Sequence, residues 1–260
     1  MARTIFLPVL LCAGCLSPRY PGSLDDPPVL FSNAQAAILR DDWEDAAVLL
    51  GRFLREQPGS PYALQARYLL GTYYLRECDL EGARSEFTFV AEHAGASRLG
   101  RHARIRLGDT ACAAGEYDLA ASVYQELLSD ARKWGDEAEL LFKLGIVRQR
   151  QGRWGEADSL FEQVRNRFPR SVFARRAAEQ LAVPRYFSLQ VGAFRDRRNA
   201  EEKKAALERK GHRAEVCRLN RHGRPFWCVR IGSFQTREQA IRFKSRMRSD
   251  PDIARADIVP

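Results

Sequence analysis

The stretch Trp43-Glu44-Asp45-Ala46-Ala47-Val48-Leu49-Leu50-Gly51-Arg52-Phe53 decides the fold of the larger part of the chain, because it returns. LEGARSEFTFV begins at Leu80, YDLAASVYQEL at Tyr117 and WGEADSLFEQV at Trp154, each a step of 37 residues. Trp43, Leu80, Tyr117 and Trp154 form one column. Ala46, Ala83, Ala120 and Ala157 form a second, Leu50, Phe87, Tyr124 and Phe161 a third, and Phe53, Val90, Leu127 and Val164 a fourth. Upstream, Ala34, Gly71, Gly108 and Gly145 keep the same step, the last three each preceded by a leucine. Within one copy the columns fall at i, i+3, i+7 and i+10, which is one face of a helix. Small residues at fixed places let a partner helix approach, and large side chains fill the space beside them. Asp42, Asp79, Glu116 and Arg153 stand just before the first column, and Gly115 and Gly152 suit the turn between two helices. Each copy therefore reads as a helix–turn–helix that buries its apolar stripe by stacking on the next copy.

This pattern, over residues 30–183, resembles the tetratricopeptide repeat (TPR). The resemblance implies an all-α helical solenoid that presents a surface to a protein partner it does not identify.

After Pro184 the period changes. Phe187, Leu189 and Val191 alternate with Tyr186, Ser188 and Gln190, as in a half-buried strand. A helix is expected from about Asp196 to Lys210, and a second alternating run covers 214–219. His222-Gly223 reads as a two-residue hairpin turn leading into a strand at 226–231. Thr236 with Gln239 three residues on forms a capping box for a second helix with a stripe of Ala240, Phe243 and Met247. A short strand at 257–259 completes β-α-β-β-α-β, an α+β domain with a four-stranded antiparallel sheet, helices on one face and the other face open. Val191-Gly192-Ala193-Phe194 is echoed 40 residues later by Ile231-Gly232-Ser233-Phe234.

Gln190 to Phe194, and the aromatic strand Phe226 to Phe234, match the two strand motifs of the SPOR domain, and through them residues 185–260 resemble that family. That resemblance implies binding to peptidoglycan glycan strands stripped of their stem peptides. It makes Gln190, Phe226 and Arg230 glycan-binding residues, and the strand alternation sets Ser188 beside them on the open face. Phe226 offers an aromatic plate for sugar rings, and Arg230 a fork for lactyl carboxylates. Two positions depart from the family: Ala193 stands where serine is common, and Cys228 where arginine is.

The charge pattern agrees with a separate module. The chain carries +9 in total, but residues 185–260 hold 19 Lys and Arg against 9 Asp and Glu, leaving the first 184 near neutrality. With 45% hydrophobic and 29% charged residues, both parts have enough apolar content for a core.

At the start, Arg3, the apolar run Ile5 to Leu11 and Cys12-Ala13-Gly14-Cys15 read as an export leader at 1–14. The stretch resembles a bacterial lipobox, which implies lipidation of Cys15, although Cys12 stands where leucine is usual. Leu16 after that cysteine implies sorting to the outer membrane, so the expected location is the periplasmic side of the cell envelope, anchored in the membrane by lipid. Residues 15–29, rich in proline, read as a tether.

Counting back from the hairpin turn places Cys217 opposite Cys228, an expected disulfide in an oxidising compartment. Cys78 and Cys112 are expected as buried thiols. The cysteines and His93, His102, His212 and His222 lack metal-site spacing, and no nucleophile elbow, phosphate loop or paired carboxylates occur. The expectation is a protein that is not an enzyme and has no metal or cofactor. RNA-recognition domains share the sheet topology, but the export leader argues against a nucleic-acid partner. A repeat scaffold for envelope assembly, with wall binding only for positioning, is the alternative use of the same parts.

Overall fold

The computed structural model describes residues 27–183, 185–221 and 224–260. The leader, Cys15, most of the tether and the His222-Gly223 turn lie outside the described residues. By contact the chain divides into two compact units at Leu140/Leu141.

In the first unit the helices are α1 (Val29–Leu39), α2 (Trp43–Glu56), α3 (Ala63–Arg76), α4 (Leu80–His93), α5 (Arg98–Ala114), α6 (Tyr117–Leu128) and the short α7 (Ala131–Trp134). Helices pack in sequence order, α1 on α2, α3 on α4 and α5 on α6, with α2–α3 and α4–α5 joining the pairs. The columns explain the fit. Gly71 faces the Phe87 ring so closely that a Cβ would lie 2.9 Å from it, and at Gly108 the Tyr124 ring would be 2.5 Å away. Ala34 and Leu50 share a buried cluster in the same relation.

The residue before the first column works as a helix cap where its chemistry allows. Asp42 accepts a hydrogen bond from the Asp45 amide at 3.1 Å, and Asp79 from the Gly82 amide at 2.9 Å. Glu116 is one methylene longer and pairs instead with Arg84 at 2.7 Å. One residue earlier a further column appears: Asp41 (φ 61°), Cys78 (φ 67°) and Gly115 (φ 80°) are all left-handed. Cys78 is thus exposed at a turn rather than buried as expected, because this position closes the helix and turns its side chain toward water. Buried arginines tie the unit together. Arg101 bonds Asp130 at 2.6 Å and the Leu127 carbonyl at 2.8 Å, and Arg106 bonds Asp109, which also accepts from the Tyr124 hydroxyl at 2.7 Å.

The second unit begins inside α8 (Glu137–Arg150) and continues with α9 (Trp154–Arg167) and α10 (Val172–Leu181). Gly145 repeats the close approach, here to the Phe161 ring at 2.6 Å, and Gly152 (φ 77°) repeats the left-handed turn. Then follow β1 (Phe187–Phe194), α11 (Arg197–Arg209), β2 (Ala214–Arg221), β3 (Arg224–Phe234), α12 (Arg237–Arg246), the short α13 (Pro251–Ala254) and β4 (Asp257–Val259). The strands are antiparallel in the order β2-β3-β1-β4.

Leu189, Val229, Ile231 and Ala214 from the strands pack against Ala200 and Leu207 of α11, Phe243 and Met247 at α12, and Ile253 of α13. This is the expected α+β arrangement with helices on one face, and the Thr236–Gln239 capping box forms as expected. The repeated Gly-x-Phe has a steric basis. Each phenylalanine ring folds back over the glycine two residues before it, and at Gly232 (φ 75°) a Cβ would meet the Phe234 ring at 2.4 Å. Phe187 leaves this core: its ring lies 5.1 Å from that of Trp154 at the start of α9, and Arg185 pairs with Asp158.

Candidate functional site

The face of the sheet turned away from the helices carries the sequence-expected residues. Glu215, Arg230, Gln190 and Asp257 stand in register across β2, β3, β1 and β4, forming one polar row over the whole sheet. On one side of the row Cys217, Cys228 and Ala193 are in register, followed by Leu219 and Phe226. On the other side Ser188 pairs with Val259. Two β1–β3 irregularities, around Ser188 and around Val191, keep Leu189, Val191 and Phe194 on the helix side despite the break in alternation. Ser188, Gln190, Phe226 and Arg230 are therefore brought to one face.

That face is less open than alternation alone implies. Ser188 and Cys228 are fully buried, Gln190 is only 4% exposed, and Phe226 and Arg230 are half-buried. Two long side chains bridge the strands. Arg230 Nη1 donates to the Pro260 carbonyl at 2.9 Å. Because β1 lies between β3 and β4, the guanidinium must cross β1, the strand that carries Ser188 and Gln190. The Tyr186 hydroxyl donates to Glu215 Oε1 at 3.3 Å, crossing β3 in the other direction. Short side chains beneath such bridges lose contact with water.

Two polar atoms here, Ser188 Oγ and Arg230 Nε, are buried without a hydrogen-bond partner among the described residues. Each such group costs about 1–3 kcal/mol until something bonds it. Burial, reinforced by Glu215, raises the Tyr186 pKa, so its phenol stays protonated as a donor.

Cys217 and Cys228 stand directly opposite, where the count from the hairpin placed them. Cys217 stands as a thiol here, with its Sγ donating to the Cys228 carbonyl at 3.6 Å. Burial pushes the Cys217 pKa up, with Arg230 opposing. Glu215, Asp257 and the Pro260 carbonyl were missed from sequence. The register count that located Cys217 also locates Glu215, two residues away on the same face. Among the described residues no three His, Cys, Asp or Glu side chains are placed to hold a metal ion, and no helix is long and apolar enough to cross a membrane.

A family model for the SPOR domain matches residues 183–253, and one for the tetratricopeptide repeat matches residues 100–170. No curated protein matches the chain. Similar solved structures include a tetratricopeptide repeat protein from Parabacteroides merdae, at 18% identity and TM-score 0.48, covering 69% of this chain and 63% of that one. MamA from Desulfovibrio magneticus has 17% identity over 58% of this chain and 79% of its own, at TM-score 0.47. YrrB, described as a TPR protein with an unusual peptide-binding site, has 21% identity over 54% and 68%, at TM-score 0.42. The chain thus spans 63% of the length of the Parabacteroides protein. It carries tetratricopeptide repeats followed by a SPOR domain, modules whose presence implies protein–protein interaction and peptidoglycan binding.

Proposed function

We propose that this chain is a non-catalytic lipoprotein of the bacterial envelope whose C-terminal domain binds peptidoglycan glycan strands stripped of stem peptides. The observation that carries the reading is the pair of unpartnered buried groups, Ser188 Oγ and Arg230 Nε, beside Gln190 on one sheet face. A saccharide supplies what they lack. Its hydroxyls bond Ser188, its acetamides the Gln190 amide, and its apolar ring faces stack on Phe226. Removing a stem peptide frees a lactyl carboxylate, which accepts a charge-assisted bond from Arg230, whose Nη1 otherwise donates to the Pro260 oxygen. Ala193 and Cys228 weaken the site relative to relatives bearing serine and arginine. In this reading the repeats recruit a protein partner and lipid on Cys15 anchors the chain at the outer membrane, in cell division or envelope maintenance.

The test is retention of the full chain on purified sacculi before and after amidase digestion. Digested sacculi retain more protein, and Arg230→Gln lowers retention roughly tenfold or more, as loss of a charged hydrogen bond of about 1.5–3 kcal/mol requires. Equal retention on digested and undigested sacculi would sink the denuded-glycan reading.

A further inference from the structure

The sheet face does not account for the excess of ten positive charges in residues 185–260. Its polar row holds two carboxylates, Glu215 and Asp257, against one guanidinium. On α11 all the basic side chains but the exposed Arg209 are answered, as is Lys210 just after it. Arg197 pairs with Glu201, Arg198 with Glu202, Lys204 with Glu208, and Lys203 and Lys210 with Asp252 and Asp250. Helix α12 differs. Arg242 and Arg246 are exposed, and among the described residues neither has an acidic partner. They are four residues apart, hence on one face of the helix, where like charges repel.

Both line a groove of about 620 Å³ together with Phe234, Gln239 and Ser245. Among the described residues no carboxylate lines it; Glu238, one turn before Arg242 on the same helix, lies outside the lining. The Gln239 oxygen is committed to the capping box, accepting from the Gln235 amide at 3.0 Å and the Thr236 amide at 3.4 Å, so its NH₂ is the end left for a ligand. Phe234 is held by Phe243, with ring centroids 5.2 Å apart, and forms an apolar wall. The polar wall is thus two guanidinium forks, an amide NH₂ and a hydroxyl. That donor set exceeds what the two oxygens of a carboxylate use and suits the three of a phosphate.

We propose that this groove on α12 is a second binding site, specific for a phosphate group. It lies on the helix side of the sheet, opposite Gln190 and Arg230, so both sites can be filled at once.

The test uses the full chain, with pyrophosphate titrated calorimetrically at fixed ionic strength. Sedimentation with phosphatidylcholine vesicles with and without phosphatidylglycerol runs in parallel. Arg242→Gln with Arg246→Gln removes two charges from the groove, and Arg197→Gln with Arg198→Gln removes two from α11. All four side chains are exposed, and a circular dichroism melt checks that both variants fold. The expected result is a tenfold or greater loss of pyrophosphate affinity in the groove variant, less than twofold in the α11 variant, and unchanged retention of both on sacculi. Co-sedimentation with the same variant dependence assigns the phosphate to a lipid headgroup. Pyrophosphate binding without it assigns the phosphate to a soluble or polymer-borne group. The proposal is overturned by no pyrophosphate binding, by equal losses in the two variants, or by citrate binding as tightly as pyrophosphate.

Discussion

Placing a methyl group at Gly108 sets two opposing effects against each other. In a helix interior, Gly→Ala stabilises by about 0.8–1 kcal/mol through backbone entropy. Here the new Cβ lies 2.5 Å from Tyr124 Cε1, far inside the roughly 3.5–4.0 Å at which carbon atoms attract. Tyr124 has nowhere to retreat: it is 1% exposed and its hydroxyl is bonded to Asp109 at 2.7 Å. Overpacking of this kind costs about 1–3 kcal/mol, and with the ring pinned the upper part of the range applies. The net expectation for Gly108→Ala is a loss of about 1–2 kcal/mol. Gly51→Ala, in α2, is the control, because its Cβ meets only the mobile end of Arg55 at 3.6 Å. That change gains about 0.5–1 kcal/mol. Hydrogen exchange on the full chain, read by mass spectrometry, separates the helices. Peptides of α5 and α6 exchange roughly tenfold faster in Gly108→Ala, while those of α2 slow in Gly51→Ala. Unchanged or slower exchange in α5 and α6 would refute the argument that the glycine column exists to admit the ring.

Cys78→Gly relieves a left-handed residue and raises stability by about 1 kcal/mol in urea titration, whereas Cys78→Ala does not; equal effects contradict a backbone origin. Incubation with oxidised glutathione joins Cys217 to Cys228, because opposed antiparallel residues have Cα atoms about 4.5–5.5 Å apart, within disulfide reach. Peptide mapping shows the link and the melting temperature rises, by up to about 3 kcal/mol of stability; a Cys217 still open to alkylation rules it out. Acid loosens α13. Hydrogen bonds from Lys210 and from Lys203 hold the Asp250 and Asp252 carboxyls below their usual pKa. Depressed folded values mean the stabilisation is present above pH about 4 and is lost as pH falls through them. Protection of 251–254, corrected for intrinsic exchange, falls below pH 4, and Lys210→Met flattens that fall.

The repeat was legible because packing leaves a column for every contact: Gly71 with Phe87, Gly108 with Tyr124 and Gly145 with Phe161 are the same pair one step apart. The left-handed turn column was half legible. Gly115 and Gly152 announce a positive φ, while Asp41 and Cys78 adopt it under constraint from the helices they join, which no property of cysteine signals. On the sheet, alternation assigned Ser188, Gln190, Phe226 and Arg230 to the outward face. It did not reveal their burial, since that depends on Arg230 and Tyr186 reaching across neighbouring strands. The direction of such a reach follows from strand order and bulges, which lie beyond a period of two. The surplus charge was likewise countable, but which arginines lack partners follows from the placement of Asp250 and Asp252 against α11.

The contact of Phe187 with Trp154 ties strand β1 to α9 inside the second compact unit. A knife placed at residue 185, where the residue pattern changes, cuts through that contact. It bares a phenylalanine that is 1% exposed in the intact unit, at a cost of about 1.5–3 kcal/mol, and leaves an apolar end next to Ser188 that sticks to surfaces regardless of sugar. A fragment from residue 141 keeps the contact closed, and with Trp227→Phe its remaining Trp154 fluorescence serves as a built-in gauge of whether strand β1 is seated.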